Sequence, residues 1–295
     1  NEDANPELAA RLSFERLQKY HSQLARGFIW TPSREEYFDE ILEYLVILDQ
    51  NRPVLLSGET GTGKTRLVRA VGERLTGQAP YEVGEEAKTD IRPLLGSQSL
   101  DKDGAYVVYG QLGQALIGKE NSRQEKAGQG GLFYMDEMNG YPPDALRALI
   151  KQISGRRPGE EISFAAWRGK KEKITPEFGF LGSANLPSEK HPDRATLPVE
   201  VARELSSIEV DYPPQTGDNP ELYEMMLAAL MDQNGRLRAL KEDLAPKWDP
   251  IVADGKTRRY ELDAAPEAGG TLWRFANFVA EIQKSYKGQN NALSA

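Results

Sequence analysis

Eight consecutive residues carry the strongest chemical signal in the chain. Gly58-Glu59-Thr60-Gly61-Thr62-Gly63-Lys64-Thr65 fits the pattern G-x-x-x-x-G-K-[ST]. Each residue type has a chemical reason to be there. The glycines let backbone N–H groups turn inward and come close to phosphate oxygens. Lys64 brings a compact positive charge to the outer phosphates, and the Thr65 hydroxyl is a ligand for Mg²⁺. Arg66 follows in the first turn of a helix whose positive N-terminal end points at the same anion. The implied chemistry is nucleotide binding through the phosphates. A second signal lies at Leu132-Phe133-Tyr134-Met135-Asp136-Glu137, an apolar run closed by two acids. Taken alone, such acids could simply be solvated at a strand end. Beside a phosphate loop, Asp136 is suited to hold Mg²⁺ and Glu137 to polarise an attacking water as general base.

These residues must be positioned by alternating strands and helices. Pro53-Val54-Leu55-Leu56-Ser57 is a short apolar run of buried-strand type, and the following helix turns Leu67, Val68, Val71 and Leu75 inward until Gly77. Further strands are expected at 105–109, 132–135 and 178–184, with helices at 111–118 and 143–154. Strands alternating with helices predict a parallel sheet covered on both faces, and acids at its strand ends would lie beside the phosphate loop. Amphipathic helices are expected at 6–26 and 34–49. After Tyr212-Pro213-Pro214 the character changes, and Asn219-Pro220-Glu221 opens a segment that reads as helical apart from turns.

Composition narrows the chemistry. With no cysteine, thiolate zinc sites, disulfides and cysteine nucleophiles are excluded, and with only His21 and His191 a multi-histidine metal site or a histidine-based triad is not expected. The 37 Lys+Arg and 45 Asp+Glu give a net charge of −8, which argues against a surface that grips phosphate backbones everywhere. No run of about 18 apolar residues occurs and no signal peptide precedes the first helix, so a cytoplasmic protein without a membrane partner is expected. The first methionine is Met135. The chain is therefore expected to be an excised or processed piece or one module of something longer.

Several stretches together resemble the AAA+ ATPases, most closely the branch of MoxR-type and dynein/midasin-related modules. Phe28-Ile29-Trp30-Thr31-Pro32 is similar to the segment that family uses near the adenine. Thr89-Asp90-Ile91-Arg92-Pro93-Leu94-Leu95-Gly96 resembles its T-D-x-x-x-L-x-G segment, and Gly110-Gln111-Leu112-Gly113-Gln114-Ala115-Leu116 its G-x-L-x-x-A approach to the acid-ended Walker B strand. Pro176 to Asn185 resembles its sensor-1 strand, and Leu197-Pro198 through Val210-Asp211-Tyr212-Pro213 the end of its α/β core. The similarity covers about residues 28–285. It implies a P-loop NTPase core at 28–213 and a small all-helical lid domain at 214–288, while an N-terminal helix at 1–27 and a tail at 289–295 lie outside it.

The resemblance also implies roles for single residues. Ile29 and Trp30 would contact the nucleotide. Asn185 would be sensor 1, orienting water or touching the γ-phosphate. Arg203 matches the arginine finger that reaches a neighbouring subunit's nucleotide, although the usual Arg-Phe is here Arg203-Glu204; Arg194 is the rival. Arg274, in Gly270-Thr271-Leu272-Trp273-Arg274-Phe275, matches sensor 2. A basic hairpin is expected from the alternation of Ile162, Phe164 and Ala166, the turn Arg168-Gly169-Lys170-Lys171 and the return through Lys173-Ile174, with Arg156 and Arg157 close by. It resembles the family's pore-facing hairpin, and its cations offer a site for nucleic acid or an acidic protein segment.

The implied function is Mg²⁺-dependent ATP hydrolysis by a ring, of hexameric type by resemblance, that remodels a partner macromolecule. Two alternatives remain at this stage. One is a nucleotide-gated motor subunit, using ATP or GTP, of a nucleic-acid-acting restriction or defence complex. The other is a scaffold whose assembly responds to nucleotide with little turnover.

Overall fold

The computed structural model describes residues 6–47, 52–83, 90, 92–185, 196–216, 219–230, 250–253, 257–260 and 271–291. They fall into two compact units, one comprising 36–211 and the other 1–35 with 212–295. In chain order the helices are α1 (Pro6–Leu24), α2 (Pro32–Leu42, continued as a π-helical turn over Glu43–Ile47), α3 (Lys64–Thr76), α4 (Arg92–Leu95), α5 (Gln111–Ile117), α6 (Pro143–Ile153), α7 (Val199–Glu204), α8 (Glu221–Leu230) and α9 (Thr271–Asn291). The strands are β1 (Val54–Gly58), β2 (Tyr81–Glu82), β3 (Gly96–Asp101), β4 (Gly104–Tyr109), β5 (Leu132–Met135), β6 (Glu161–Ile162), β7 (Glu172–Lys173), β8 (Gly179–Asn185), β9 (Ser206–Glu209), β10 (Pro250–Ala253) and β11 (Thr257–Tyr260).

The larger unit is built on a five-stranded parallel sheet in the order β2-β5-β8-β1-β9. Its central strands are continuous apolar runs because both faces are covered, and all four residues of β5 are buried. Close approach of neighbours demands small residues on β8. A Cβ at Gly182 would meet the Met138 sulfur at 1.9 Å. The register sets Gly58 beside Asn185 and Met135 beside Gly182. The C-terminal ends of β1, β5 and β8 therefore arrive at one edge of the sheet, where ligands of such sheets bind. Helix α3 turns Leu67, Val68, Ala70 and Val71 into the interior and stops at Gly77, which takes the left-handed conformation of a helix end.

Two expectations are corrected here. The strand at 105–109 does not join the parallel sheet. It is the second arm of an antiparallel β3–β4 hairpin, with only Val107 and Tyr109 buried among its residues. Gly104, at φ +104°, makes the turn, and the Arg123 guanidinium clamps its base with two bonds to Asp101 at 2.6 and 2.7 Å. Nor is the basic hairpin an open one. Strands β6 and β7 pair over two residues each, and a 3-10 turn at Ala165–Trp167 sinks Trp167 between Tyr109 and Phe164. The Trp167 indole N–H donates to the Leu95 carbonyl at 2.7 Å, which ties this turn to the start of the other hairpin.

Its cations are engaged as well. Lys170 donates to the Ser122 carbonyl and stands 3.5 Å from Glu172, while Lys171 pairs with Glu161 at 3.3 Å. Glu172 is 8% exposed and accepts from Lys119 at 2.7 Å and from the Tyr109 hydroxyl at 2.8 Å. Burial pushes the Glu172 carboxyl up. The Lys119 and Tyr109 bonds, with the charge of Lys119 and Lys170, outweigh burial and hold it below the ordinary carboxylate range.

The smaller unit packs α1 against α8 and α9 through Leu17, Leu222, Tyr223, Leu227, Ala276 and Ala280. Tyr20, Ile29 and Ala228 form a second cluster. Residues 28–35 belong with this unit rather than with the core drawn at 28–213. Ser33 donates through its backbone N–H (2.9 Å) and its hydroxyl (2.6 Å) to the Glu221 carboxylate, and Trp30 N–H donates to Gln23 at 3.0 Å. Arg16 pairs with Glu224 across the same packing. The C-terminal part is not all helical either. Strands β10 and β11 pair antiparallel, Ile251 opposite Arg259 and Val252 opposite Arg258.

The buried Glu172 cluster supplies a stability test. Glu172→Gln removes the charge that compensates Lys119 and should lower unfolding free energy by about 1–3 kcal/mol at pH 7. A carboxyl held below its ordinary range adds stability above that range and loses it as pH falls through its folded value. Urea unfolding of both proteins should therefore show a gap that narrows as the pH drops below the ordinary carboxylate range.

Candidate nucleotide site

The phosphate loop leaves β1 and closes onto α3. Gly58 (φ +143°), Gly61 (φ +87°) and Gly63 (φ +89°) occupy backbone regions that side-chain-bearing residues rarely adopt. Gly58 has a second reason to be glycine, because a Cβ there would lie 2.3 Å from the Val210 carbonyl oxygen. Inside the loop, the Thr62 hydroxyl donates to the Glu59 carbonyl at 3.1 Å. Thr60 and Arg66 stand on either side of it in sequence. Lys64 is 6% exposed, and its ammonium donates to the carbonyls of Gly58 (2.9 Å) and Glu59 (2.8 Å). A cation is thus held at the centre of a loop of inward-turned backbone, at the positive end of a helix.

Asp136 follows β5 and meets Thr65 from the neighbouring helix, Oγ1 to Oδ2, at 3.5 Å. Its other oxygen accepts from the Tyr134 hydroxyl at 2.9 Å, from the Glu137 backbone N–H at 3.0 Å and from the Ser183 hydroxyl. Burial, the largest cause, pushes the Tyr134 phenol far above its ordinary value, so it stays protonated as a donor. Glu137 sits in the left-handed region at φ 49°, a conformation that costs a non-glycine residue about 1 kcal/mol. Its N–H reaches both Asp136 and Ser183 (3.1 Å), which fixes this turn. Its carboxylate then accepts from the Asn185 amide at 3.1 Å. Asn139 in turn donates to the Asn185 carbonyl at 3.3 Å.

Of the residues singled out by sequence, Gly58, Glu59, Lys64, Thr65, Asp136, Glu137 and Asn185 are therefore brought together. Asn185 engages Glu137 directly. Sequence reasoning misses Tyr134, Ser183 and Asn139. Tyr134 reads as an apolar strand residue, and Ser183 carries no local signal, since only the β5–β8 register brings it to Asp136. Arg203 is exposed on the last turn of α7, and its carbonyl accepts from the Arg52 guanidinium at 3.0 Å. Arg194 lies outside the described residues. Ile29 and Trp30 belong to the smaller unit, and so does Arg274, which is exposed on the first turn of α9.

A parallel sheet with a lysine-bearing glycine loop after one strand and an acid pair after another defines a P-loop nucleotide-binding domain. Residues 53–197 match the family model of the AAA domain, dynein-related subfamily. That stretch is an AAA+ domain of the dynein/midasin-related kind. The chain is 28% identical over 130 residues to Midasin of Dictyostelium discoideum, covering 44% of this chain and 2% of that protein. It is 24% identical over 153 residues to the transcriptional regulatory protein RtcR of Escherichia coli, covering 50% of this chain and 26% of that one. An uncharacterized protein of Staphylococcus aureus is 26% identical over 139 residues, 47% of this chain and 49% of its own length. The chain thus matches less than half of each of these relatives. Among solved structures, NtrX from Brucella abortus in complex with ADP is similar at a TM-score of 0.43 and 18% identity, over 76% of this chain and 47% of that one. Among the described residues no helix is long and apolar enough to cross a membrane.

Gly58→Ala tests the loop geometry. The added methyl meets the Val210 carbonyl at a φ that alanine avoids, so unfolding free energy should fall by about 2 kcal/mol or more in a urea titration, with nucleotide affinity lost alongside.

Proposed function

We propose that this chain is the motor module of a Mg²⁺-dependent ATPase that works as a ring and remodels or regulates a partner macromolecule. The observation that carries the chemistry is the convergence, at one sheet edge, of Lys64, the Thr65–Asp136 oxygens and Glu137 held by Asn185. Thr65 Oγ1 and Asp136 Oδ2 are adjacent hard oxygen donors. This fits Mg²⁺, which takes one or two protein oxygens and completes its shell with water and phosphate. Among the described residues no group of three or more acidic, histidine or cysteine side chains competes as a metal cage. Bound there, Mg²⁺ would neutralise charge on the phosphates.

The chain's own residues then divide the work. The loop N–H groups from Gly58 to Thr65 bind the phosphates, and Lys64 trades its two carbonyl partners for phosphate oxygens. Glu137 takes a proton from the attacking water. Asn185 holds the Glu137 carboxylate and must loosen that bond, or share it, when water enters. Arg203 is exposed and, among the described residues, its guanidinium has no ion pair, as a finger directed at a second subunit requires. An arginine supplied in trans raises phosphoryl-transfer rates by about 10³–10⁵. Ile29, Trp30 and Arg274 enter the nucleotide site through the family resemblance alone. ATP rather than GTP and the hexameric ring rest on the same resemblance. The nucleic-acid alternative is weakened by the pairing of Lys170 and Lys171 with acids, which leaves Arg168 as the cation of that turn with no ion pair among the described residues.

Two variants separate binding from hydrolysis. Lys64→Ala should abolish binding of a fluorescent ATP analogue. Glu137→Gln should bind it with near-native affinity while turnover falls by about 10²–10⁴, the range for loss of a general base. Loss of binding in Glu137→Gln, or native turnover, would contradict the assigned roles.

A further inference from the structure

The turn that Trp167 anchors also shapes the surface. It closes one side of a cavity of about 440 Å³ lined by Leu95, Ala145, Ala148, Leu149, Phe164 and Arg168. Ala145, Ala148 and Leu149 recur at helical spacing on α6, whose core face is carried by Leu146, Leu149, Ile150 and Ile153. The cavity is therefore an apolar groove on a second face of that helix. One charge flanks it. Arg168 is held by the chain at φ 50°, a left-handed conformation unusual for arginine, and is exposed without an ion pair among the described residues.

The same unit carries a knob of matching character. At the end of the β3–β4 hairpin, Leu100 is 77% exposed, the most exposed large apolar side chain among the described residues, and is followed by Asp101, Lys102 and Asp103. Arg123 clamps the hairpin through Asp101 and the Gly104 carbonyl and stacks on Tyr106 at 4.1 Å, so the knob is rigid before it meets anything. It does not line its own groove. Gln98 lines that groove, and the hairpin register places Leu100 about 7 Å further along the strand.

We propose that the occupant of this groove is a second copy of the chain, whose Leu100 seats among the apolar lining while Asp103 meets Arg168. Charge complementarity selects this occupant. The groove carries at its edge an exposed guanidinium, Arg168, with no ion pair among the described residues, and the knob presents the Asp103 carboxylate beyond a single apolar side chain. The contact joins different patches of the two copies, the head-to-tail arrangement from which rings are built. It deepens the ring reading above and rests on self-association, but not on turnover.

Sedimentation velocity with ATP analogue tests it on the 295-residue chain. Wild type should assemble. Leu100→Asp, Arg168→Glu and Asp103→Arg should each weaken assembly about tenfold or more, as loss of a close charge or apolar contact at an interface does. None of the three touches the phosphate site, so retained nucleotide affinity reports that each variant is folded. Mixing the Arg168→Glu protein with the Asp103→Arg protein is the decisive arm. Each alone pairs like charges. In the mixture, the knob of the Asp103→Arg protein meets the groove of the Arg168→Glu protein with opposite charges, and the native pair forms at the alternate contact. Recovery of assembly in the mixture supports the contact. Wild-type assembly by all three single variants, no recovery on mixing, or a wild type that stays monomeric overturns it. A wild type that turns over ATP while never assembling would sink the contact and the trans finger and leave hydrolysis through Glu137 standing, and assembly through the contact without turnover would do the reverse.

Discussion

The carboxylate of Asp136 is the fixed point on which the site depends. One of its oxygens gathers three donors, the Tyr134 and Ser183 hydroxyls and the Glu137 backbone N–H, and the other is left toward Thr65. Those bonds come from β5, from β8 and from the turn after β5, so a single anion locks two strand ends and one strained residue together. Hydrogen bonds to a charged acceptor are stronger than neutral ones, and a low-dielectric setting strengthens them further. The left-handed conformation of Glu137 is tolerable because its N–H is held at both Asp136 and Ser183. In return, that conformation brings the Glu137 carboxylate to the Asn185 amide.

Everything else in the larger unit serves this alignment. Parallel pairing of β1, β5 and β8 delivers the lysine loop, the acid pair and the asparagine to one edge. Glycines at 58 and 182 let the backbone and the Met138 side chain pack closely enough for that register to hold. The two hairpins outside the sheet are tied to one another through Trp167 and Leu95, and the Glu172 cluster fastens the second of them to β4 and to the segment at 119–122. Chemistry and surface features thus sit on one continuous core. The smaller unit is organised separately, with Glu221 and Glu224 receiving Ser33 and Arg16.

Much of this is legible in the sequence, and for identifiable reasons. The phosphate loop is local, since its residue types follow from backbone geometry and charge over eight positions. β5 is an unbroken apolar run, and its two acids announce the strand end. What sequence does not show depends on long-range register. Ser183 becomes a partner of Asp136 only once β8 lies beside β5, and Tyr134 looks like core until its hydroxyl is placed. Strand β4 misleads because its alternation is compatible with a sheet edge or a hairpin, and only the glycine turn and the Arg123 clamp decide. The lysines after Trp167 read as a free positive surface because their partners, Glu161 and Glu172, lie across a turn whose folding the alternation of Ile162, Phe164 and Ala166 does not reveal. The strands at 250–253 and 257–260 are hidden because a short hairpin sits in a segment whose surroundings read as helical.

The central claim is that these residues hydrolyse ATP and that a neighbouring subunit completes the site. The most direct measurement is the steady-state ATPase rate per subunit across a range of protein concentrations, with sedimentation in parallel. The account predicts a rate that rises with concentration and levels off as the assembled species saturates. A rate per subunit that is flat while the protein remains monomeric, or no turnover of ATP or GTP where it is fully assembled, would contradict it.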